Sequence, residues 1–310
     1  MPALTLLVTA DPSSSYLKPL ERLPAGTRVI VSNQKDQLFA AAPEADVLLH
    51  GDFRDAHLFL ETFPHATKVR WVHVLSAGIE RQLSPEIIAS PVPMTNGRGV
   101  FSRPLGEWVI GAMIYFTFDV PRMLRQQRAG IWEAFAHPEL YGRAVAIVGY
   151  GDIGQTVGAR AESFGMQVTP IRSKTSPQDL MNAIKGADYI VVTAPLTPTT
   201  RGLIGENQIA AMKPDAVVIN IGRGPVIHEA SLLAALQANK IRGAALDVFT
   251  VEPLPAGHAF YKLQNVLLSP HSADHTSGWR DLAVKFFLEN FARFAKGEPL
   301  ENVVDKHAGY

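Results

Sequence analysis

Short apolar runs alternate with amphipathic stretches along most of the chain. Near its start, Leu4–Thr9, Arg28–Val31, Asp46–Leu49 and Val69–Val74 have strand length, and Tyr16–Leu23 and Arg54–Phe63 between them are patterned as helices. From Arg143 the alternation is more regular, with apolar runs at Ala144–Val148, Met166–Ile171, Tyr189–Ala194, Ala216–Ile221, Gly243–Phe249 and Val266–Ser269. Nearly continuous apolar strands separated by helices predict parallel sheets covered on both faces. The helices carry their own signals. Ser176-Pro177-Gln178-Asp179 supplies an N-cap, a first-turn proline and an acid at the capping-box position. Glu229–Ala238 is rich in helix formers, and Gly165 stands where a helix beginning near Ile153 should stop. The pattern predicts an α/β protein of two units. Residues 1–101 plus 274–310 form one, with the amphipathic tail Trp279–Lys296 packing back as a helix. Residues 102–273 form the other, entered through helical residues 104–130.

Composition narrows the function classes. Lys plus Arg and Asp plus Glu both total 29, so the 310-residue chain has no formal net charge. A general nucleic-acid binder needs a basic surplus. There is no cysteine, which excludes a disulfide framework, a thiolate nucleophile and thiolate metal sites. The ten histidines show no ligand spacing, so no metal is expected. The first basic residue is Lys18, and the longest strongly apolar run, Trp108 to Phe118, is shorter than the roughly 20 residues of a membrane span. A cytoplasmic protein with no membrane and no nucleic-acid partner is expected.

The segment AVAIVGYGDIG reads as strand, glycine turn and helix start. Gly149, Gly151 and Gly154 fit G-x-G-x-x-G: a tight turn, close backbone approach of a pyrophosphate, and close helix–strand packing. The helix start offers free N–H groups to the phosphates. The next strand ends in Arg172-Ser173-Lys174, where an NAD-binding unit usually carries an acid for the ribose hydroxyls. Two cations and a hydroxyl suit a 2′-phosphate, so NADP(H) is expected in preference to NAD(H). Three later strand ends bring an arginine (Arg223), a carboxylate (Glu252) and an imidazole (His271). Ligands of open parallel sheets bind beyond the carboxyl ends of the strands. There an arginine can hold a carboxylate and polarise the neighbouring carbonyl. Histidine can protonate the carbonyl oxygen as hydride reaches carbon, and a carboxylate on its other nitrogen fixes the tautomer and favours the charged form.

With GYGDIG at 149–154, TAPLTPTTRGLI at 193–204, NIGRG at 220–224, LDVFTVEP at 246–253 and SPHSA at 269–273, the chain resembles the D-isomer-specific 2-hydroxyacid dehydrogenase family over nearly its whole length. The resemblance implies two Rossmann-like parallel-sheet domains, one flavodoxin-like and one dinucleotide-binding, with an active-site cleft between them. It also implies a homodimer joined through a long helix at about 104–125. It assigns substrate binding to Arg223, the acid–base pair to Glu252 and His271, and the nicotinamide carboxamide contact to Asp247. Cofactor contacts extend to Tyr150, Asp152, Ile153, Ala194, Pro195, Ile221, Gly222 and Ala273. The early loop Ser76-Ala77-Gly78-Ile79-Glu80 would present the N–H groups of Ala77 and Gly78 to the substrate carboxylate, and Trp132 would reach a partner's active site. The basic turn is similar to the glyoxylate and hydroxypyruvate reductase branch, which uses NADPH to reduce small 2-oxo acids to D-2-hydroxy acids. Ala77 stands where phosphite dehydrogenases carry lysine, and Glu252 where formate dehydrogenases carry glutamine. Two other functions remain open at this point: a nucleotide-sensing, corepressor-like binding protein, and an NAD-linked dehydrogenase on the same scaffold.

Overall fold

Strands built largely from Val, Ile, Leu and Ala pair with one another in parallel, and they form two sheets. A computed structural model describes residues 4–53 and 55–310. The first sheet contains β1 (Thr5–Thr9), β2 (Arg28–Ser32), β3 (Val47–His50), β4 (Trp71–Val74) and β5 (Met94–Asn96), ordered β2-β1-β3-β4-β5. The second contains β6 (Ala144–Val148), β7 (Gln167–Ile171), β8 (Tyr189–Val192), β9 (Val217–Asn220), β10 (Gly243–Leu246) and β11 (Val266–Leu268), ordered β11-β10-β9-β8-β6-β7. Interior strands β3, β4, β8, β9 and β10 are buried at every residue, whereas edge strands β2 and β7 are partly exposed. Pro170 sits in edge strand β7, where a missing N–H leaves no ladder partner unpaired. In each sheet the second strand lies on one side of the first and the third on the other. The order therefore reverses at β1/β3 and at β6/β8, the positions where such folds open a ligand crevice.

The chain up to Phe101 together with Ser277–Tyr310 forms one compact unit, and Ser102–Thr276 forms the other. The Trp279–Lys296 helix belongs to the first. Its Phe287 and Phe291 are fully buried, and Phe287 stacks on Trp71 of β4 with centroids 5.3 Å apart. In the second unit, Ile190, Val192, Val218 and Leu246 join Leu232 and Leu236 of the Glu229–Gln237 helix in one core.

Several elements differ from the sequence pattern. The helical residues 104–130, including the 104–125 helix expected at a dimer contact, are two helices, Ser102–Thr117 and Val120–Ala129. Asp119 interrupts them in the left-handed conformation and accepts a hydrogen bond from the Arg122 N–H, while Pro121 occupies the first turn of the second helix. Tyr16–Leu23 becomes a 3-10 helix, Ser15–Arg22, with Pro19 inside it. The second expected helix runs over His57–Thr62, and its expected start at Arg54 lies outside the described residues. Strand β5 escapes the pattern because it is three residues long. Strand β10 stops at Leu246, three residues before the apolar run ends, and leaves Asp247 just beyond the sheet.

Two histidines are built into the first sheet. Trp71 Nε1 donates to Thr95 Oγ1 at 2.8 Å, and His73 Nδ1 is hydrogen-bonded to the same hydroxyl at 2.6 Å. Nε2 of His73 is buried without a hydrogen-bond partner among the described residues. His50, paired with Thr9 Oγ1 at 3.2 Å, has a similarly buried Nε2. Burial depresses His73 from 6.5 to about 3 and His50 to about 4, with Asp52 and Asp55 partly opposing the shift of His50. Unfolding frees both rings to take up protons near 6.5. The unfolded chain thus binds more protons below that value, and stability is complete above pH 6.5 and lost as pH falls toward the folded-state values. Urea denaturation should therefore show a stability loss on the order of a few kcal/mol between pH 6.5 and pH 4, with a shallower slope in His73→Gln. An identical slope in that variant would remove His73 from the account.

Candidate active site

The second unit gathers backbone before it gathers side chains. Gly149 ends β6 with φ +97°, and a Cβ there would stand 2.5 Å from the Ala194 nitrogen. At Gly154 a Cβ would stand 2.5 Å from the Gly149 carbonyl oxygen, and at Gly222 2.7 Å from the Ala194 carbonyl oxygen. The ends of β6, β8 and β9 thus converge on Ala194 with no room for side chains. At Gly151, in contrast, a Cβ would meet nothing within 4 Å. The middle glycine faces open space, as close approach of a pyrophosphate needs. In the Asp152–Ser163 helix the first intrahelical bond runs from Gln155 N–H to the Gly151 carbonyl at 2.8 Å. The N–H groups of Asp152, Ile153 and Gly154 precede that bond and are donors for an anion. Ser102 donates to the Asp152 carboxylate, and Thr193 Oγ1 donates to the Gly149 carbonyl oxygen. These residues fit a dinucleotide.

At the end of β7 the Arg172 guanidinium donates to the Tyr150 carbonyl oxygen at 3.0 Å and lies 4.9 Å from the Tyr150 ring centroid. The tight turn that carries Ser173 and Lys174 closes through Thr175, whose N–H reaches the Arg172 carbonyl at 3.0 Å. Arg172 is thus drawn onto the glycine turn, while Ser173 and Lys174 are exposed.

Three loops beyond the carboxyl ends of β9, β10 and β11 carry the remaining groups. His271 Nδ1 lies 2.7 Å from Glu252 Oε2. The other oxygen of Glu252 accepts the Phe249 N–H at 2.9 Å, which fixes the carboxylate. The Glu252 hydrogen bond is the largest influence on His271 and raises its pKa; burial and the Arg223 charge oppose it, and the Asp247 charge adds to it. Arg223 therefore lies within electrostatic reach of the imidazole, and its Nη1 donates to the Gly222 carbonyl at 2.7 Å. Asn220 braces that loop: its Nδ2 donates to the Arg223 carbonyl and its Oδ1 accepts the Gly222 N–H, both at 3.1 Å. Gly224 has no space for a Cβ, which would run into the backbone of Phe249.

Asp247 is buried and holds the histidine loop. Its Oδ1 accepts the Ser272 N–H at 2.8 Å and the Ala273 N–H at 3.0 Å, and its carbonyl accepts the His271 N–H at 2.8 Å. Burial, reinforced by the Asp247 charge, raises the pKa of neighbouring Asp274, and the His275 and His271 charges lower it. The bracing roles of Asn220 and Asp247 are absent from a reading by residue type. Their only sequence signal is a lone polar residue inside an apolar run. Ala194 and Ile221 are buried beside the glycine turn, and Pro195 receives the Thr200 hydroxyl on its carbonyl at 2.6 Å.

Trp132 is not gathered with these groups. It lies in the extended segment after the Val120–Ala129 helix, with its side chain fully exposed. Ala77 and Gly78 belong to the first unit, in the turn after β4. The Ser76 carbonyl accepts the Gly97 N–H at 2.9 Å, the Ala77 carbonyl accepts Asn96 Nδ2 at 2.6 Å, and the Gly78 carbonyl accepts Ser76 Oγ at 2.7 Å. A trans peptide points its N–H opposite its carbonyl. The N–H groups of Ala77 and Gly78 are therefore directed away from β5.

Among the described residues, no helix is long and apolar enough to cross a membrane, and no group of three or more His, Cys, Asp or Glu could hold a metal ion. Residues 110–273 match the family described as "D-isomer specific 2-hydroxyacid dehydrogenase, NAD binding domain". The chain is 31% identical over 302 residues to a glyoxylate reductase of Korarchaeum cryptofilum, covering 92% of this chain and 88% of that protein. It is 30% identical over 313 residues to a D-3-phosphoglycerate dehydrogenase of Methanocaldococcus jannaschii, covering 97% of this chain but only 59% of that longer protein. Among solved structures it is similar to an NADPH-dependent glyoxylate/hydroxypyruvate reductase from Sinorhizobium meliloti in complex with NADP and sulfate. The TM-score is 0.85, at 27% identity, over 99% of this chain and all of the other.

The site geometry makes one prediction that needs no substrate. Glu252→Gln removes the carboxylate that favours imidazolium, so the NMR titration of the His271 ring should move to lower pH. An unmoved titration would show that the 2.7 Å contact does not govern the proton on His271.

Proposed function

The chain belongs to the D-isomer specific 2-hydroxyacid dehydrogenase family, and within it we propose an NADPH-preferring reductase of small 2-oxo acids to D-2-hydroxy acids, with glyoxylate and hydroxypyruvate as first candidates. The observation that carries this reading is the His271–Glu252 pair at 2.7 Å, beyond the strand ends that also bear Arg223 and beside a glycine turn with open space at Gly151. The NADP in the Sinorhizobium relative and the pairing of Arg172 with Tyr150 support the choice of nucleotide.

Held by the Gly149–Gly154 turn and the first N–H groups of the Asp152–Ser163 helix, a nicotinamide dinucleotide would supply hydride for the carbonyl carbon of the substrate. Arg223 holds the substrate carboxylate and draws charge toward the carbonyl oxygen. Nε2 of His271 gives that oxygen its proton, so one hydride and one proton convert the 2-oxo group into a hydroxyl. Glu252 accepts from Nδ1, keeps the exchangeable proton on Nε2 and favours the charged ring before the transfer. Asp247 holds the loop that aims the ring. In the first unit, the Ala77 and Gly78 N–H groups are our candidates for a second hold on the substrate carboxylate. Arg172, Ser173 and Lys174 receive the 2′-phosphate of the cofactor.

The apolar surface of the second unit supports a homodimer. Phe118, Met123, Leu124, Ile131 and Trp132 are all exposed, at 38%, 39%, 39%, 53% and 102%, in and around one helix. Five exposed apolar side chains within residues 118–132 are the composition expected of an association surface. Light scattering after size exclusion should report a dimer, and Met123→Glu combined with Leu124→Glu should convert it to monomer. A monomeric parent protein removes the proposal.

Steady-state assays test the chemistry. NADPH should give the higher kcat/KM with glyoxylate or hydroxypyruvate, and Arg172→Ala with Lys174→Ala should lower it roughly tenfold or more for NADPH, with a smaller effect on NADH. His271→Ala should lower kcat about 10²- to 10⁴-fold with an unchanged circular dichroism spectrum. Equal or better use of NADH would refute the nucleotide assignment, and retained activity in His271→Ala would refute the proton donor.

A further inference from the structure

Arg280 takes no part in the chemistry above, yet its surroundings are unusual. It stands in the first turn of the Trp279–Lys296 helix, with its guanidinium 4.9 Å from the Trp279 ring centroid, 5.2 Å from Tyr16 and 5.9 Å from Phe53. The rings also hold one another. Phe53 meets Trp279 at 4.6 Å and Tyr16 at 6.1 Å, Phe101 meets Trp279 at 6.1 Å, and the Tyr16 hydroxyl donates to the Gly51 carbonyl at 2.9 Å. Among the described residues no carboxylate forms an ion pair with Arg280, and its buried Nε has no hydrogen-bond partner. Asp52 and Asp11 act on the same cluster through their charges at Tyr16, as does Arg280. The π faces stabilise the cation, and the desolvated Nε left unpaired carries the remaining cost.

The place of this cluster in the fold points to a ligand. Tyr16 follows β1, Phe53 follows β3, Ser76–Gly78 follow β4 and Phe101 follows β5, so all four lie beyond the carboxyl ends of the first sheet. That is the edge where parallel α/β sheets take ligands. The cluster is also joined to the Ala77–Gly78 turn inside this unit. The Gly97 N–H donates to the Ser76 carbonyl at 2.9 Å, and Gly97 lies against the Phe101 ring, where a Cβ would come within 3.3 Å. Phe101 touches Trp279, and Trp279 lies under Arg280. A run of contacts thus leads from the candidate carboxylate turn to a guanidinium whose buried Nε has no partner.

We propose that Arg280 is a specificity residue that takes a second anionic group, a carboxylate or a phosphate, at the far end of a 2-oxo acid whose own carboxylate meets the Ala77–Gly78 turn. The inference rests on the reductase reading and extends its substrates to 2-oxo acids with a second anionic group, favoured over those of similar length with a neutral tail. The chemistry fits the residue. Aromatic rings occupy the faces of a guanidinium and leave its planar N–H edge for bidentate contact with carboxylate or phosphate. Three rings packed on one another also hold the fork in place, which reduces the ordering lost when a ligand arrives.

The test compares substrates in the full chain with NADPH. The two dianionic probes are 2-oxoglutarate and 3-phosphohydroxypyruvate, and 2-oxovalerate is the comparator with a neutral tail. In the parent protein kcat/KM for at least one dianion should exceed that for 2-oxovalerate ten- to hundredfold, the worth of one charge-assisted hydrogen bond. Whichever dianion leads identifies carboxylate or phosphate. In Arg280→Met, which keeps a stem to pack on the rings, the ratio should approach one through KM, and Arg280→Lys should retain part of it. No preference for either dianion in the parent, or an unchanged ratio in Arg280→Met with folding verified, overturns the proposal. If Arg280→Met does not fold, Arg280→Lys decides: an undiminished ratio overturns, and a reduced one supports.

A separate readout covers failure of the reductase reading itself. Trp279 lies against Arg280, so its fluorescence reports occupancy without turnover, with Trp279→Phe as the control for assignment. If no 2-oxo acid is reduced, that reading fails. A saturable fluorescence response to either dianion that is lost in Arg280→Met then still supports the anion site, and no saturable response in the parent overturns it.

Discussion

The buried carboxylate of Asp247 is the interaction on which the candidate site depends. It accepts two successive N–H groups of the loop that follows β11, while the Asp247 carbonyl accepts a third. Held in this way, His271 adopts φ +51°, a left-handed conformation that an L-residue other than glycine takes up only when its surroundings over-determine it. The carboxylate supplies that determination. Glu252 then needs only its own anchor, the Phe249 N–H, to meet the imidazole from the other side. Two carboxylates therefore bracket one histidine loop. One sets the backbone and the other sets the proton.

A second constraint is the absence of side chains where β6, β8 and β9 end. Gly149, Gly154 and Gly222 allow backbone to meet backbone around Ala194, which compresses the carboxyl edge of the sheet and brings charged loops into mutual reach. The even charge balance of the chain conceals this arrangement. Cationic groups at 172, 174 and 223 lie in loops beyond strand ends, and the acids nearest to them are tied into hydrogen bonds with backbone, hydroxyl or imidazole partners.

Much of this was legible because catalysis by proton transfer and anion binding needs particular residue types at strand ends, and strand ends show in an apolar pattern. The glycine turn, Arg223, Glu252 and His271 are all of that kind. What escaped the pattern is decided by neighbours distant in sequence. The family resemblance implies a cofactor contact for Asp247, and only the fold shows that its carboxylate holds residues 272 and 273. Asn220 reads as the polar end of a strand, although both ends of its amide brace the arginine loop. The break at Asp119 lies inside a strongly helical stretch, and a single aspartate before Val-Pro is a weak signal beside so many helix formers. Arg280 looks like an ordinary first-turn residue until Tyr16 and Phe53 arrive from far upstream. The 3-10 geometry at Ser15–Arg22 follows from Pro19, but an amphipathic period cannot separate it from an α-helix over so few residues.

The covering of the first sheet has a consequence for how the chain is made. Trp71 stands in β4, while Phe287, Phe291 and Phe294, the rings packed on it, lie roughly two hundred residues further along. A ribosome that has finished all five strands of that sheet has therefore not yet produced the helix that closes one of its faces. The whole of the second unit emerges first and can form its own core from sequence-local pieces. Until the last helix arrives, the indole and the strands around it remain an open apolar surface. The order of synthesis thus makes the early sheet the late-maturing part of the molecule, and the part that most needs protection from self-association while the chain is being completed.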